Sequence, residues 1–230
     1  MSALPSIRGL LLDFYGTIVE EDDDAIARIC DAIAASYGTL TSAEVGSSWG
    51  ATFAAATGAA VGATFKSQRE LAVDSLQTVL ASIGSPLNAR ELCAPQFAFW
   101  RRPGLRVGSR EFLEMCTVPV CVVSNIDDDD LDAAIRHHGL NLQNRVTSEN
   151  ARAYKPRPEM FTAALDTLGF EPDEVIHVGD SPGSDVAGAT RLGIRTAWVN
   201  PKRRRLPEGL LTNLEIQDLR ELLQVSWGDL

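Results

Sequence analysis

The sequence lacks any apolar run long enough to cross a membrane, and it begins without the basic stretch and apolar core of an export signal. We therefore expect a cytoplasmic protein that has no membrane partner. Positive charge is scarce as well, since 21 Lys and Arg stand against 31 Asp and Glu, for a formal net charge of -10. This balance argues against nucleic acid as a partner. The local basic run Lys202 to Arg205 is predicted to be a solvated loop.

Cysteine and histidine are few, and neither is spaced as a set of metal ligands. The chain has four cysteines, Cys30, Cys93, Cys116 and Cys121. They form no C-x-x-C pair, which favours reduced, mostly buried thiols and argues against a zinc site. His137 and His138 are adjacent, so they point in different directions from a helix and are predicted to be surface residues.

Three short apolar runs end abruptly in polar residues. They are Leu10 to Leu12 before Asp13, Val118 to Val123 before Ser124-Asn125, and Val175 to Val178 before Gly179-Asp180. The first run is unbroken, and an aliphatic run of this length is typical of a strand that is buried on both faces of a parallel sheet. Open α/β sheets bind their ligands at the carboxyl ends of such strands, so we expect a functional site where these polar residues meet.

A long segment without a convincing strand separates the first two runs. Residues 37–100 show helical patterns, with a capping box at Thr41 and Glu44 and an amphipathic helix that ends at Gly84. The acidic run Glu20 to Asp24 is predicted to cap and open an earlier helix, and the alternative is that one of these carboxylates reaches a site below the insertion. Roughly eighty residues of helix interrupt the β-α-β rhythm here, which indicates an insertion.

Strands and helices alternate regularly in the rest of the chain, and this alternation predicts a doubly wound parallel sheet. Glycine after a helical pattern marks a helix end. The predicted elements include helices at Asp128 to His138, Pro158 to Leu168 and Ser184 to Leu192, a last strand at Ile194 to Val199, and a terminal helix at Leu219 to Val225.

Four motifs in this order resemble those of the haloacid dehalogenase-like hydrolases, a superfamily made mostly of phosphatases. The motifs contain Asp13, then Ser124, then Lys155 in Tyr-Lys-Pro-Arg-Pro-Glu, and finally Gly179-Asp180 with Asp185. The resemblance covers nearly the whole chain except the inserted segment. It implies an α/β fold with a Rossmann-like core of residues 1–17 and 102–230 and a helical cap domain of residues 18–101.

The resemblance also implies a magnesium site. In the family, the metal is held by the residues that correspond to Asp13, the backbone carbonyl of Tyr15, and Asp180. Two close carboxylates repel each other, and a hard cation with oxygen ligands relieves that repulsion. Asp185 is expected to bind the waters of the metal rather than the metal itself.

The catalytic roles follow from the same resemblance. Asp13 would be the nucleophile that forms an aspartyl-phosphate, which divides one difficult step into two easier ones. Ser124 and Asn125 would donate hydrogen bonds to the phosphoryl group, and Lys155 would neutralise its charge. In the insertion, Lys66 and Arg69 are candidate contacts for a substrate anion.

Tyr15 departs from the pattern of the phosphatases, which carry a second Asp at this position to protonate the leaving group and to activate water. A tyrosine with an ordinary pKa of about 10 is a poor general base at neutral pH. Tyrosine here is similar to the L-2-haloacid dehalogenases, a metal-free branch in which Asp attacks carbon and the departing halide needs no proton.

Three functions therefore remain open. Because the chain keeps Gly179-Asp180 and adds Asp185, the favoured prediction is a Mg²⁺-dependent phosphatase that acts on a small phosphate monoester. The first alternative is a metal-free 2-haloacid dehalogenase. The second is a catalytically weak binding or scaffold protein that retains the fold, since fold alone does not determine function.

Overall fold

The computed structural model describes residues 6–225 and 227, and it contains a six-stranded parallel sheet with the order β3-β2-β1-β4-β5-β6. The strands are β1 (Gly9–Leu12), β2 (Val120–Ser124), β3 (Asn144–Thr147), β4 (Val175–Gly179), β5 (Arg195–Val199) and β6 (Leu214–Ile216). Leu11 pairs with Cys121 on one side and with His177 on the other. The strand order thus reverses at β1, as in doubly wound folds, and the predicted sheet is confirmed.

Helices cover both faces of this sheet and fill the segment between β1 and β2. They are α1 (Asp23–Tyr37), α2 (Ser42–Ala59), α3 (Gln68–Ser82), α4 (Ala89–Arg101), α5 (Ser109–Met115), α6 (Asp128–His138), α7 (Ser148–Ala151), α8 (Pro158–Leu168) and α9 (Ala187–Thr190). Helices α6 and α8 end where predicted, because Gly139 and Gly169 adopt the left-handed conformation that terminates a helix. The capping box of Thr41 and Glu44 is present at the start of α2.

The core lies on the two sides of β1. Leu10 and Leu12 belong to one buried apolar cluster, and Leu11 belongs to the cluster on the opposite face. The first cluster continues without a break into the helices of the insertion, where it includes Trp49 and Leu76. The alternation of side chains along a strand explains why an uninterrupted apolar run was needed at this position.

The chain enters and leaves the inserted helices through one paired segment. Val19 forms an antiparallel bridge with Leu105, the N–H of Glu20 donates to Gly104 at 2.8 Å, and the N–H of Arg106 donates to Ile18 at 3.1 Å. Helices α1 to α4 therefore start and end beside each other. The predicted core of residues 1–17 and 102–230 includes residues 1–5, 226 and 228–230, which lie outside the described residues.

The second half of the chain differs from the sequence predictions in three places. The edge strand β6 was missed, because three residues are too short to produce a periodic signal. The terminal helix is a 3₁₀ helix at Leu219–Gln224. The predicted helix from Ser184 begins instead as a π-helical turn at Pro182–Val186, where the carbonyl of Ser181 accepts the N–H groups of Asp185 and Val186.

The remaining predictions concern membranes, cysteines and histidines. None of the helices in the described part of the chain is long and apolar enough to span a membrane. All four cysteines are free, and three of them are buried. His137 is exposed, as predicted, whereas His138 is half-buried and donates from Nε2 to the carbonyl of Pro103 at 2.7 Å.

Candidate active site

The turn after β1 places Asp13 beside the end of β4. The N–H of Asp13 donates to Val178 at 2.9 Å, so the carboxylate emerges at the carboxyl edge of the sheet. Gly16 has a positive φ of 87°, and a Cβ there would lie 2.7 Å from Oδ1 of Asp180. Only glycine fits this approach without strain. Because Gly16 has no side chain, the turn after Asp13 can lie directly against the side chain of Asp180.

Three buried carboxylates meet at this edge. Asp13, Asp180 and Asp185 each offer one oxygen, and these three oxygens lie within 4.8 Å of one another. Burial, together with the charges of Asp13 and Asp185, raises the pKa of Asp180 to about 8. Burial also raises the pKa of Asp13 to about 6, against the opposing effect of Lys155. Such a cluster of oxygen donors fits a hard divalent cation such as Mg²⁺.

Lys155 bridges two of these carboxylates. Its Nζ donates to Oδ1 of Asp13 at 2.7 Å and to Oδ1 of Asp185 at 2.6 Å. Burial lowers the pKa of Lys155, but the two carboxylates outweigh burial and hold that pKa above its usual range. Nε2 of His177 lies 2.9 Å from Asp185, and the N–H of Ser181 donates to Asp185 at 3.0 Å. With both oxygens engaged by protein groups, Asp185 positions Lys155.

Asn125 clamps the backbone of the same lysine. Its Oδ1 accepts the N–H of Lys155 at 2.7 Å, and its Nδ2 donates to the carbonyl of Lys155 at 3.1 Å. Ser124 is buried at the carboxyl end of β2, the strand next to β1. The four predicted motifs therefore reach one edge of the sheet, and Asn125 has a positioning contact that the sequence did not indicate.

The hydroxyl of Tyr15 is engaged by α4 and is not available for proton transfer. Its hydroxyl donates to the carbonyl of Trp100 in α4 at 2.6 Å. Burial raises the pKa of Tyr15 above its usual range, and the charges of Asp130 and Asp22 raise it further. The phenol therefore stays protonated, and its hydrogen bond links the first motif to α4. The participation of its backbone carbonyl in a metal site stays a prediction.

The two candidate anion contacts of the insertion both have carboxylate partners. Nε and Nη2 of Arg69 donate to the two oxygens of Asp130, each at 2.6 Å. The guanidinium also stacks over the ring of Phe97, 4.6 Å from its centroid. Lys66 pairs with the exposed Asp74 at 2.7 Å. Arg69 thus joins α3 to α6, and its contact with a substrate stays a prediction.

The basic run 202–205 is only partly the solvated loop that was predicted. Asn200 is buried and closes the loop, since its Oδ1 accepts the N–H of Arg204 and its Nδ2 donates to the carbonyl of Arg204, both at 2.8 Å. Nη2 of Arg204 then donates to the carbonyl of Asp180 at 2.9 Å and lies 3.4 Å from its carboxylate. One indication of this contact was available from the sequence. The loop follows β5, so it lies at the same edge of the sheet as Asp180.

The acidic run opens α1 with Asp23 and Asp24 in its first turn, but its earlier residues Glu21 and Asp22 reach the interior. Asp22 is the residue before α1, yet its side chain forms no capping hydrogen bond. Its Oδ2 accepts hydrogen bonds from Gln96 Nε2 and from Trp100 Nε1, both at 2.7 Å. Glu21 shares a hydrogen bond with Asp180, and burial raises the pKa of Glu21. These contacts depend on tertiary packing, so the local pattern could not reveal them.

Comparison with known proteins identifies the family. A sequence profile described as haloacid dehalogenase-like hydrolase matches residues 7–193 of the chain. The chain is 31% identical over 146 residues to a phosphoserine phosphatase from Thermus thermophilus, a match that covers 60% of this chain and 58% of that protein. It is 34% identical over 83 residues to (S)-2-haloacid dehalogenase 4A from Burkholderia cepacia, covering 35% of this chain and 36% of that protein. These matches thus span only 58% and 36% of the relatives' lengths.

The fold itself extends over almost the whole chain. It superposes on the crystal structure of the L-2-haloacid dehalogenase RSc1362 with a TM-score of 0.77 at 20% identity, covering 95% of this chain and 98% of that one. This likeness shows the fold alone. The profile, by contrast, covers most of the chain and includes all four motifs. The chain therefore belongs to the haloacid dehalogenase-like hydrolases.

Proposed function

We propose that this hydrolase is a Mg²⁺-dependent phosphatase that acts on a small phosphate monoester. The cluster of Asp13, Asp180 and Asp185 carries the proposal, because Lys155 alone does not balance three buried carboxylates within 4.8 Å of one another, and a divalent cation would let all three remain ionised. Without that cation, the excess negative charge of the cluster would disfavour an anionic 2-haloacid. The raised pKa of Asp180, about 8, also supports a site that is completed by positive charge.

The chemistry of the chain follows from the positions of its own side chains. Asp13 attacks phosphorus and forms an aspartyl-phosphate while the alcohol leaves, and water then hydrolyses that intermediate. Lys155 neutralises negative charge on Asp13 and on the phosphoryl group, and Ser124 and Asn125 donate hydrogen bonds to it. When bound, Mg²⁺ would be held by Asp13, the carbonyl of Tyr15 and Asp180, and it would supply positive charge to the phosphoryl oxygens.

We further propose that the inserted helices form a cap over the site. We assign residues 18–101 to a cap and residues 1–17 and 102–230 to the catalytic core. Two contacts support a cap that closes on the core, the hydrogen bond from Tyr15 to Trp100 and the ion pair of Arg69 with Asp130. A closed cap excludes water and strengthens the electrostatic interactions inside the site.

Metal binding and turnover test the proposal together. Titration calorimetry should detect Mg²⁺ binding to the wild type and not to Asp180→Asn. The exposed carboxylate Asp166 offers a matched control, and Asp166→Asn should bind Mg²⁺ as the wild type does. Asp13→Asn should lose phosphatase activity by roughly 10⁴-fold or more, because an amide cannot form the acyl phosphate. A wild type that hydrolyses phosphate esters equally well in EDTA would contradict the proposal.

A dehalogenase is the second candidate, and Tyr15 favours it because its buried phenol cannot serve the leaving group of an ester. The distinguishing assay is halide release from an (S)-2-haloacid in EDTA. Release of halide without phosphatase activity would establish this candidate. If a panel of phosphate monoesters and 2-haloacids gives no turnover with or without Mg²⁺, a binding or scaffold function is the remaining candidate.

A further inference from the structure

A depression of about 310 Å³ lies where the end of α4 packs against α6, and its lining is cationic. It is formed by Arg101, Arg102, Ala133, Arg136 and His137. Arg101 is the last residue of α4 and Arg102 follows it, while the other three lie in the second half of α6. Three guanidinium groups and an imidazole therefore surround one concave surface in a chain whose formal net charge is -10. Such a local reversal of charge attracts ligands of the opposite sign.

The carboxylates beside this depression are shared with arginines outside it. Asp130 pairs with Arg101 at 3.1 Å, but it also accepts two shorter hydrogen bonds, each of 2.6 Å, from α3. Asp132 lies 3.0 Å from the guanidinium of Arg145 and is 3.9 Å from that of Arg136. Each carboxylate thus faces two guanidinium groups, so positive charge is in excess around the depression.

Arg102 adds to that excess, because it has no ion-pair partner among residues 6–225 and 227. The other cations have a second explanation. Arg101 lies in the last turn of α4, and Arg136 and His137 lie in the last turn of α6, where positive charge opposes the helix dipole. That explanation does not account for the convergence of both helix ends on one depression whose lining, in the described part of the chain, contains no carboxylate.

We propose that this depression binds a small oxyanion with two negative charges, of the phosphate class. Guanidinium groups present planar forks of N–H donors and no acceptor, and these forks match the oxygens of phosphate. A monocarboxylate would balance only one of the cations. The volume of the depression is at the lower end of the range for ligand sites, which favours a small ligand. The inference does not depend on the proposed phosphatase function.

An anion in this position would bridge the inserted helices and α6. Arg102 leads directly into Pro103, whose carbonyl accepts the Nε2–H of His138 at 2.7 Å. The next residue, Gly104, accepts the N–H of Glu20 where the chain enters the insertion. Contacts of one oxyanion with Arg102 and Arg136 would therefore add a third link at the point where the inserted helices rejoin the sheet.

Titration calorimetry with inorganic phosphate tests the site, in a chloride buffer freed of divalent cations so that the proposed Mg²⁺ site is not loaded. The wild type should bind phosphate. Arg102→Gln and Arg136→Gln should each weaken that binding by about tenfold, because each removes a charge-assisted hydrogen bond. Arg90→Gln, at an exposed position near the opposite end of α4, should bind phosphate as the wild type does.

The chain has three histidines, and their NMR ring resonances report where phosphate binds. His137 lines the depression, whereas His177 is buried in β4 and contacts Asp185 at the catalytic edge. Phosphate should shift the ring resonance of His137, identified by its loss in His137→Asn, and should leave that of His177 unchanged.

Two results would overturn the inference. If the wild type binds no phosphate, the cations serve only the helix ends. If phosphate binding survives in both arginine variants and shifts His177 instead of His137, the anion binds at the catalytic edge. Phenylphosphonate, which adds an organic group to the same anion, distinguishes the sources of the ligand. Tighter binding than phosphate identifies an organic phosphate as the ligand, and equal or weaker binding identifies free phosphate.

Discussion

Lys155 is held in position by Asp185 and, through Asp185, by His177. Asp185 receives a hydrogen bond from Lys155 Nζ at 2.6 Å and lies 2.9 Å from Nε2 of the buried His177. Burial lowers the pKa of His177, so the ring is neutral and donates its Nε2–H to Asp185. Burial raises the pKa of Asp185, but Lys155 and His177 outweigh it and hold that pKa below its usual range. Asp13 and Lys155 are therefore oriented before any substrate arrives, which is how electrostatic catalysis keeps its reorganisation small.

Tyr15 gives the first prediction at this scale. Because its phenol is buried and donates to Trp100, the site lacks a general acid at this position, and such an acid is typically worth ~10²- to 10⁴-fold in rate. The wild type should therefore favour aryl phosphates, whose leaving groups depart without a proton, over alkyl phosphates. Tyr15→Asp should narrow this gap in kcat/KM by raising the turnover of alkyl phosphates.

Tyr15→Phe is the control for that experiment. It removes the hydroxyl and its hydrogen bond, at a cost of about 1 kcal/mol in the free energy of unfolding, and keeps the ring in place. The ratio of aryl to alkyl phosphate turnover should not change. A selective loss of alkyl phosphate turnover in Tyr15→Phe would mean that the phenol does act as the acid. Turnover of a 2-haloacid that falls in Tyr15→Asp, with no phosphatase activity, would favour the dehalogenase.

The start of helix α3 is linked to the segment that leads into α6. Asp127, just before α6, accepts the N–H groups of Gln68 and Arg69 at 2.6 and 3.1 Å. These are the first two residues of α3, where helical N–H groups have no partner within the helix. An acidic side chain there also opposes the helix dipole. Asp127 thus supplies the acceptors for the first turn of α3, a helix of the proposed cap.

Burial raises the pKa of Asp127 to about 6, against the opposing effect of these two N–H groups, and this shift predicts a pH dependence. The folded protein binds a proton at Asp127 below about pH 6, whereas the unfolded chain binds one only near the ordinary pKa of about 4. The stabilisation is therefore complete below about pH 4 and is lost as the pH rises through 6. Relative to Asp127→Asn, the wild type should gain roughly 1 kcal/mol between pH 7.5 and pH 5.

Urea unfolding of both proteins at the two pH values measures this difference. The comparison with Asp127→Asn removes the contributions of all other titrating groups, because they are shared. A wild type that loses stability relative to Asp127→Asn on acidification would show that the two N–H donors, and not burial, control the carboxylate.

At the scale of the whole molecule, some features were predictable from the sequence and others were not. The sheet and its catalytic edge were predictable, because a strand buried on both faces must be apolar throughout and Asp13 and Asp180 interrupt that pattern at its end. Glu21, Asp22 and Arg204 could not be assigned in this way. They lie in loops or at a helix end with ordinary surface composition, and only the packing of distant segments brings them to the site or the interior.

The last prediction concerns the contact between the inserted helices and α6 in the whole molecule. Asp130 is buried, with a side chain only 1% exposed, and it pairs with Arg69 of α3 and with Arg101 of α4. Removing Arg69 alone leaves a buried carboxylate with one partner, whereas removing both charges leaves only Arg101 without its partner, and the Arg101 side chain is 44% exposed to solvent. Arg69→Met should therefore lower the free energy of unfolding by about 2 kcal/mol, and Arg69→Met with Asp130→Asn should lower it by less.

Chemical denaturation of the two single variants and the double variant gives this comparison as a double-mutant cycle. Arg90→Met, at an exposed position near the start of α4, controls for the loss of an arginine and should change stability by less than about 0.5 kcal/mol. If the effects of the two single variants add in the double variant, the pair is not coupled and does not hold the cap to the core. Coupling combined with a higher KM in Arg69→Met and little change in kcat would show that cap closure contributes to substrate binding, since a weaker latch reduces the population of the closed, binding-competent state.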